Sequence, residues 1–264
     1  MKIFQIGFNK CGTGSLHKFF IKNELKSIHY DSGRLAKTIF ENFENDRDLL
    51  FGCDGYDAYS DMELLTNEKF ISVAESLFKE LYNQYPDSVF ILNTRDVDSW
   101  VNSRLKHNKG TYLSRYRSLL DVTSDQIIKY WKEEYYKHIS NVQAFFENKT
   151  SANFIHLRID EDCPSRLGDY LSRLGYKITV PELPHFHQTK FSDKQANYVN
   201  VNYILDAACV IEEQDLRLRL YKKAYELDED NFYCRNKISL LSKYNRFYFF
   251  WIKVKNRLVR EKDS

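Results

Sequence analysis

Residues 2–6, Lys-Ile-Phe-Gln-Ile, form a short apolar run that stops at Gly7, and helical spacing begins at Thr13 with Leu16, Phe19, Phe20 and Ile21 on one side. A strand that passes through a glycine-bearing loop into an amphipathic helix is the opening of a crossover unit. The pattern recurs. Residues 27–30 and 57–61 read as short strands, and Phe70, Ile71, Ala74, Leu77, Phe78 and Leu81 fall at helical spacing over 66–83 until Pro86-Asp87. Residues 89–92 read as a buried strand followed by a helix from about Asp98, and Ile128, Trp131, Tyr135, Ile139, Val142 and Phe146 mark a long amphipathic helix. Residues 153–157 then give a strand and 164–174 a helix. Strands alternating with helices predict an α/β fold, a three-layer sandwich around a central parallel sheet.

The character changes near residue 190. Residues 205–260 contain no proline and are rich in Lys, Arg, Glu, Tyr and Leu, which predicts a helical C-terminal extension. The expected division is therefore 1–190 for the α/β domain and 191–264 for the extension. Residues 221–243 have the pattern of half a tetratricopeptide repeat, and one copy makes no array. The aromatic run 247–252, followed by Lys253, Lys255, Arg257 and Arg260, has two readings. It packs onto the main domain, or it docks on a membrane surface or a protein partner as basic-aromatic amphipathic helices do.

Composition narrows the function classes. Thirty-nine Lys+Arg against 37 Asp+Glu give a formal net charge of +2, which argues against a nucleic-acid binder driven by bulk charge. No apolar run approaches the ~20 residues of a membrane helix, and the first residues lack the apolar core and cleavage site of a signal peptide, so a cytoplasmic protein is expected. Five cysteines (11, 53, 163, 209 and 234) are scattered without CxxC spacing, which disfavours disulfides and structural zinc. His185 and His187 have no third ligand nearby and read as a surface loop between prolines. No metal is expected.

Two segments carry chemistry. The first is the loop from Gly7 through Lys10, Cys11, Gly12, Thr13, Gly14 and Ser15. Backbone N–H groups at a helix start favour an anion, glycines let it approach, and Lys10, Thr13 and Ser15 add donors, which makes a cradle for a phosphate or sulfonate. An ordinary strand-to-helix turn is the plainer reading of the same glycines. The nucleotide-triphosphatase pattern GxxxxGK[ST] puts Lys directly after its second glycine, whereas Thr13 follows Gly12 here and Lys10 lies inside the loop. The second segment runs from the 89–92 strand to Arg95, Asp96, Trp100 and Ser103. A guanidinium at the carboxyl end of a strand, with a hydroxyl on the next helix, suits a phosphate monoester. By itself, Arg95 also reads as a partner of Asp96 or Asp98, and Ser103 as a helix-surface serine.

Together these segments resemble the two donor motifs of the sulfotransferases that use 3′-phosphoadenosine 5′-phosphosulfate (PAPS). Lys10-Cys-Gly-Thr-Gly-Ser-Leu16 is similar to the family's 5′-phosphosulfate loop, with Gly14 where a second threonine is usual. Phe90 to Arg95 and on to Ser103 is similar to its 3′-phosphate motif, with Asp96 and Trp100 in the RDxxxW variety and Val97 where proline is usual. The resemblance covers about residues 1–185. It implies a P-loop-like α/β fold, with PAPS as co-substrate and 3′,5′-adenosine bisphosphate as product. It implies that Lys10 contacts the transferred sulfuryl group, that the amides of residues 11–15 with Thr13 and Ser15 hold the 5′-phosphate, and that Arg95 and Ser103 hold the 3′-phosphate. The acceptor implied is a hydroxyl on a carbohydrate or glycolipid.

The family also places a His, Glu or Asp base near the end of an interior strand. Asp61 is the first choice, His29 the second, with Asp31 and Asp54 behind them. Asp61 also reads as the cap of a following helix, and His29 as a core histidine. Acceptor recognition falls to the loops 31–56 and 104–126. Two other classes stay open: a nucleotide-dependent kinase with an unusual loop, and a nucleotide-binding homologue without turnover.

Overall fold

The computed structural model describes residues 1–108, 110–184, 204–209, 211, 214–227 and 237–241. Its first compact unit comprises residues 1–105 and 128–190. Five parallel strands build its sheet: β1 (Ile3–Gln5), β2 (Ser27–His29), β3 (Ala58–Ser60), and, after a small hairpin, β6 (Val89–Thr94) and β7 (Asn153–Arg158). Their order is β2-β3-β1-β6-β7. From β1 the chain passes to the edge strand β2, returns to β3 beside β1, and then crosses to the other side of β1 at β6. Between β1 and β6 the direction of winding reverses, and open parallel sheets bind ligands in the crevice at that point, outside the carboxyl ends of the strands.

The strand residues alternate between two cores, as a sheet covered on both faces requires. Phe4, Tyr59, Phe90 and Leu92 pack with α2 (Arg34–Glu44), α4 (Phe78–Gln84) and α7 (Ser124–Glu147) through Leu35, Ile39, Leu81, Val142 and Phe146. Ile3, Val89, Ile91, Ile155 and Leu157 pack with α1 (Thr13–Lys22) and α8 (Arg166–Arg173) through Leu16, Phe19, Phe20, Leu167 and Leu171. This is the three-layer α/β sandwich expected from the sequence.

Three stretches differ from the sequence reading. Residues 66–83 are not one helix: β5 (Phe70–Ser72) pairs antiparallel with β4 (Glu63–Leu65), and only then follow α3 (Val73–Ser76) and α4. The turn between the strands is closed by Thr66, whose hydroxyl accepts the Glu68 and Lys69 amides at 3.2 and 3.0 Å, so side-chain chemistry at Thr66 overrides the apolar spacing. The segments 31–56 and 104–126 are not simple loops. They contain α2, which buries Leu35, Ala36 and Ile39, and α6 (Thr111–Leu120).

The second compact unit joins residues 106–127 to the C-terminal stretch. Among its described residues, helices lie at 204–209, Gln214–Leu227 and 237–241, with a small core of Leu205, Ala208, Tyr221 and Ala224. The fully buried Arg117 pairs with Asp206, whose carboxylate also accepts the Ser124 amide at 2.9 Å. The aromatic-basic run 247–260, His185 and His187 lie outside the described residues. Among the described residues no helix is long and apolar enough to cross a membrane.

Candidate active site

The loop after β1 is held from below by amides that the strands bury. Gln5 and Asn93 are both fully buried, one at the end of β1 and one near the end of β6. The Gln5 side-chain amide donates to Asn93 Oδ1 at 2.7 Å, and the Gly7 N–H donates to the same oxygen at 3.1 Å. Asn93 Nδ2 in turn donates to the Cys11 carbonyl at 2.7 Å. Gly7 is required here by space, since a Cβ would lie 2.1 Å from the Asn93 carbonyl oxygen.

Asn9 is fixed at three atoms. Its carbonyl accepts the Trp100 indole N–H at 2.9 Å, its Oδ1 accepts Arg104 Nε at 3.0 Å, and its Nδ2 donates to Glu63 Oε1 at 2.8 Å. Lys10 then takes the left-handed conformation at φ 61°, and Gly12 takes it at φ 79° as the residue before α1. No side chain caps α1, and no acidic residue sits in its first turn. The helix start is therefore open to an external anion.

Asp61 reaches the same place from the end of β3. The Asp61 N–H donates to Gln5 Oε1 at 2.8 Å, and the Thr13 hydroxyl donates to the Asp61 carboxylate. With 18 % of its side chain exposed, Asp61 is largely shielded from water, and this burial pushes its carboxyl up to about 6 against the opposing pull of Lys10 and Arg104. Lys10 is lowered, first by burial and then by Arg95, while Asp61 acts the other way. His29, at the end of the neighbouring β2, places Nε2 3.6 Å from Asp61 Oδ2. Burial drives His29 down to about 4, so at neutral pH the imidazole is uncharged beside a carboxylate. The His17 ring stacks on it at 5.2 Å.

Arg95 closes the other side of the crevice. Its Nη1 donates to the Lys10 carbonyl at 3.4 Å, and its Nε faces Asp160 Oδ2 at 3.5 Å. The Tyr135 hydroxyl brackets its backbone, accepting from the Arg95 N–H at 3.0 Å and donating to its carbonyl at 2.6 Å. Asp96 caps α5 (Val97–Leu105), since its Oδ1 accepts the Ser99 N–H at 2.8 Å. Ser103 is half-buried two turns along the same helix.

The sequence-chosen residues thus fall into two groups. Lys10, Gly12, Thr13, Gly14, Ser15, Asp61, His29 and Arg95 gather at the carboxyl ends of β1, β2, β3 and β6. Cys11 contributes its backbone there, while its side chain is fully buried and its thiol is pushed up to about 12 by that burial. Thr13 is turned inward to Asp61 and is 5 % exposed. Asp31 pairs with Arg34 at 2.6 Å on the surface, and Asp54 precedes β3 at the opposite end of the sheet. No helix follows Asp61, so the helix-cap reading fails: β4 begins two residues later. Gln5, Asn9, Asn93, Arg104, Glu63 and Asp160 were not singled out from sequence. The one available signal was the presence of Gln5 and Asn93 in otherwise apolar strands.

An α/β crevice with an open helix start, an internal lysine and a carboxylate beside it has the chemistry to hold an anion and to accept a proton. The chain belongs to a sulfotransferase family: a family model described as sulfotransferase domain matches residues 2–161. That span contains every residue of the site just described, from Gln5 to Asp160. No curated protein matches the chain.

Proposed function

We propose that the protein transfers a sulfuryl group from PAPS to a hydroxyl acceptor, a carbohydrate or glycolipid. The observation that carries this reading is the convergence of Lys10, Asp61 and the uncapped start of α1 at the end of β1, with Arg95 bonded across to the Lys10 carbonyl. The residues present fit such a donor. The amides of residues 12–15 and the Ser15 hydroxyl would hold the 5′-phosphate. Arg95 and Ser103 would hold the 3′-phosphate, the group that separates PAPS from ATP.

In the reaction the acceptor oxygen forms a bond to sulfur as the bond from sulfur to the phosphate-bridging oxygen breaks. The acceptor proton passes to Asp61, whose carboxylate is ionised above about pH 6 and is a stronger base than an exposed aspartate. Lys10 offsets the charge that grows on the departing phosphate, and an incoming anion raises its proton affinity again by Coulomb attraction. Thr13 orients Asp61 and leaves the phosphate to its neighbours' amides. His29, uncharged at neutral pH, lines the acceptor side of the carboxylate.

The test is transfer of ³⁵S from labelled PAPS to methyl glycosides and to a neutral glycolipid in detergent, followed as ³⁵S in the separated sulfated product. Transfer by the wild-type protein, abolished in Asp61→Asn with donor binding retained, supports the reading. Donor binding without transfer to any acceptor favours a nucleotide-binding homologue. Magnesium-dependent use of ATP favours a kinase.

A further inference from the structure

Arg104 is buried to 2 % exposure, yet nothing in the proposed chemistry uses it. It follows Ser103 on α5 but points the other way, into the protein. Its Nε donates to Asn9 Oδ1 at 3.0 Å and its Nη2 to Glu63 Oε2 at 3.3 Å. Glu63, itself 6 % exposed, accepts from Asn9 through its other oxygen. The guanidinium lies 4.3 Å from the Trp100 ring centroid and 5.3 and 5.4 Å from those of Trp131 and Phe8. Three functional segments therefore meet at one side chain: the loop carrying Lys10, the helix carrying Ser103, and the strand that begins two residues after Asp61.

Stability alone is a poor reason for this arrangement. A buried ion pair costs desolvation that its attraction seldom exceeds, and apolar replacements are often neutral or stabilising. A preorganised site is a better reason, because anion cradles lose function when displaced by an ångström. The charge matters as well as the fork. Asp61 lies two residues before Glu63, the partner of Arg104, with Thr13 and His29 against its carboxylate, and with His29 uncharged the cations whose fields act on it are Lys10 and Arg104.

We propose that Arg104, with Glu63 as its counter-ion, is the positioning residue of the site, locking the Lys10 loop to α5 and to the strand that follows Asp61, with its positive charge close to that carboxylate. Two roles are separable. The planar fork sets the geometry of both phosphate sites, and lysine cannot reproduce it. The charge sets the ionisation of Asp61, which lysine preserves. The affinity half of the inference rests on the proposed donor, and the ionisation half does not.

The experiment uses the full chain labelled with ¹³C-carboxyl aspartate, the Asp61 signal being assigned by its loss in Asp61→Asn. Its titration midpoint and the calorimetric affinity for 3′,5′-adenosine bisphosphate are measured in four variants. Arg104→Met should raise the midpoint by about one pH unit, and Glu63→Gln should lower it, because the first removes a cation and the second unmasks it. Arg104→Lys should leave the midpoint near wild type yet weaken bisphosphate binding about tenfold or more. The paired Arg104→Met/Glu63→Gln protein leaves no uncompensated buried charge, so it keeps the fold if the single Met variant does not. Its midpoint should return toward wild type while binding stays weak. A purely structural role predicts no opposite shifts, so an unmoved midpoint in folded Glu63→Gln overturns the proposal, as does one in Arg104→Met where that variant folds. Wild-type bisphosphate affinity in Arg104→Lys overturns it too. If the wild-type protein binds no bisphosphate, the donor reading fails and the Asp61 midpoints alone decide the role of Arg104.

Discussion

The two segments proposed to bind the donor's phosphates are held to different degrees by their surroundings. The loop after β1 rests on fully buried amides: Gln5 and Asn93 bond Gly7, Cys11 and the Asp61 backbone, and Asn9 is held at three atoms. Arg95, after β6, is 25 % exposed and engages Asp160 and the Lys10 carbonyl at 3.5 and 3.4 Å, both long for hydrogen bonds. The first segment has its geometry fixed before a ligand arrives. The second has a charged side chain with a replaceable partner. Under the proposed function this division is useful, since transition-state contacts need preorganisation while a ground-state anchor needs only charge and reach.

That contrast is broken most severely at the rigid end. Lys10→Ala should lower the rate of sulfuryl transfer by about 10²–10³, the usual loss for one donor aimed at developing charge, with little change in melting temperature. Incorporation of ³⁵S into the acceptor measures the first and thermal melting by circular dichroism the second. Asn93→Ala should destabilise the protein by about 2–4 kcal/mol, because it strands the Gly7 N–H, the Gln5 amide and the Cys11 carbonyl in a buried site. Urea unfolding of that variant would contradict the account if its midpoint matched wild type.

The flexible end should separate affinity from stability. Arg95→Ala should weaken bisphosphate binding about tenfold or more, yet change unfolding free energy by less than about 1 kcal/mol, since its ion pair with Asp160 is part-exposed. Asp61 gives the pH test. Its folded value of about 6 lies above the ~3.9 of an unfolded chain, so its contribution to stability is fully present below pH 4 and is lost as pH rises toward 6. Asp61→Asn should therefore be more stable than wild type at pH 7 by about 1–2 kcal/mol while losing transfer, and the transfer rate of the wild type should rise with pH through about 6. The smallest effect is expected at Asp54→Ala, which is exposed at the far end of the sheet and should leave binding and rate unchanged.

The residues that gather at the strand ends were legible in the sequence, and those that support them were not. Lys10, Arg95, Asp61 and His29 were visible because each follows an apolar strand run, and strand ends are where parallel sheets bind ligands. Gln5 and Asn93 lie 88 positions apart and Asn9 and Arg104 lie 95 apart, so no local spacing announces that they meet. The β4–β5 hairpin was hidden for another reason. Phe70 and Ile71 fit the period of the helices that follow, and only the Thr66 turn chemistry breaks that period. Helix α2 was legible and passed over: Leu35, Ala36, Ile39, Phe40 and Phe43 recur at helical spacing within the segment assigned to acceptor recognition.

The most direct test of the donor assignment is calorimetry of 3′,5′-adenosine bisphosphate against 5′-AMP and ATP, with and without magnesium, in wild type, Arg95→Ala and Ser103→Ala. The account predicts metal-independent preference for the bisphosphate that falls toward the affinity for 5′-AMP in both variants. Equal or tighter binding of ATP with magnesium, indifferent to Arg95 and Ser103, would contradict it.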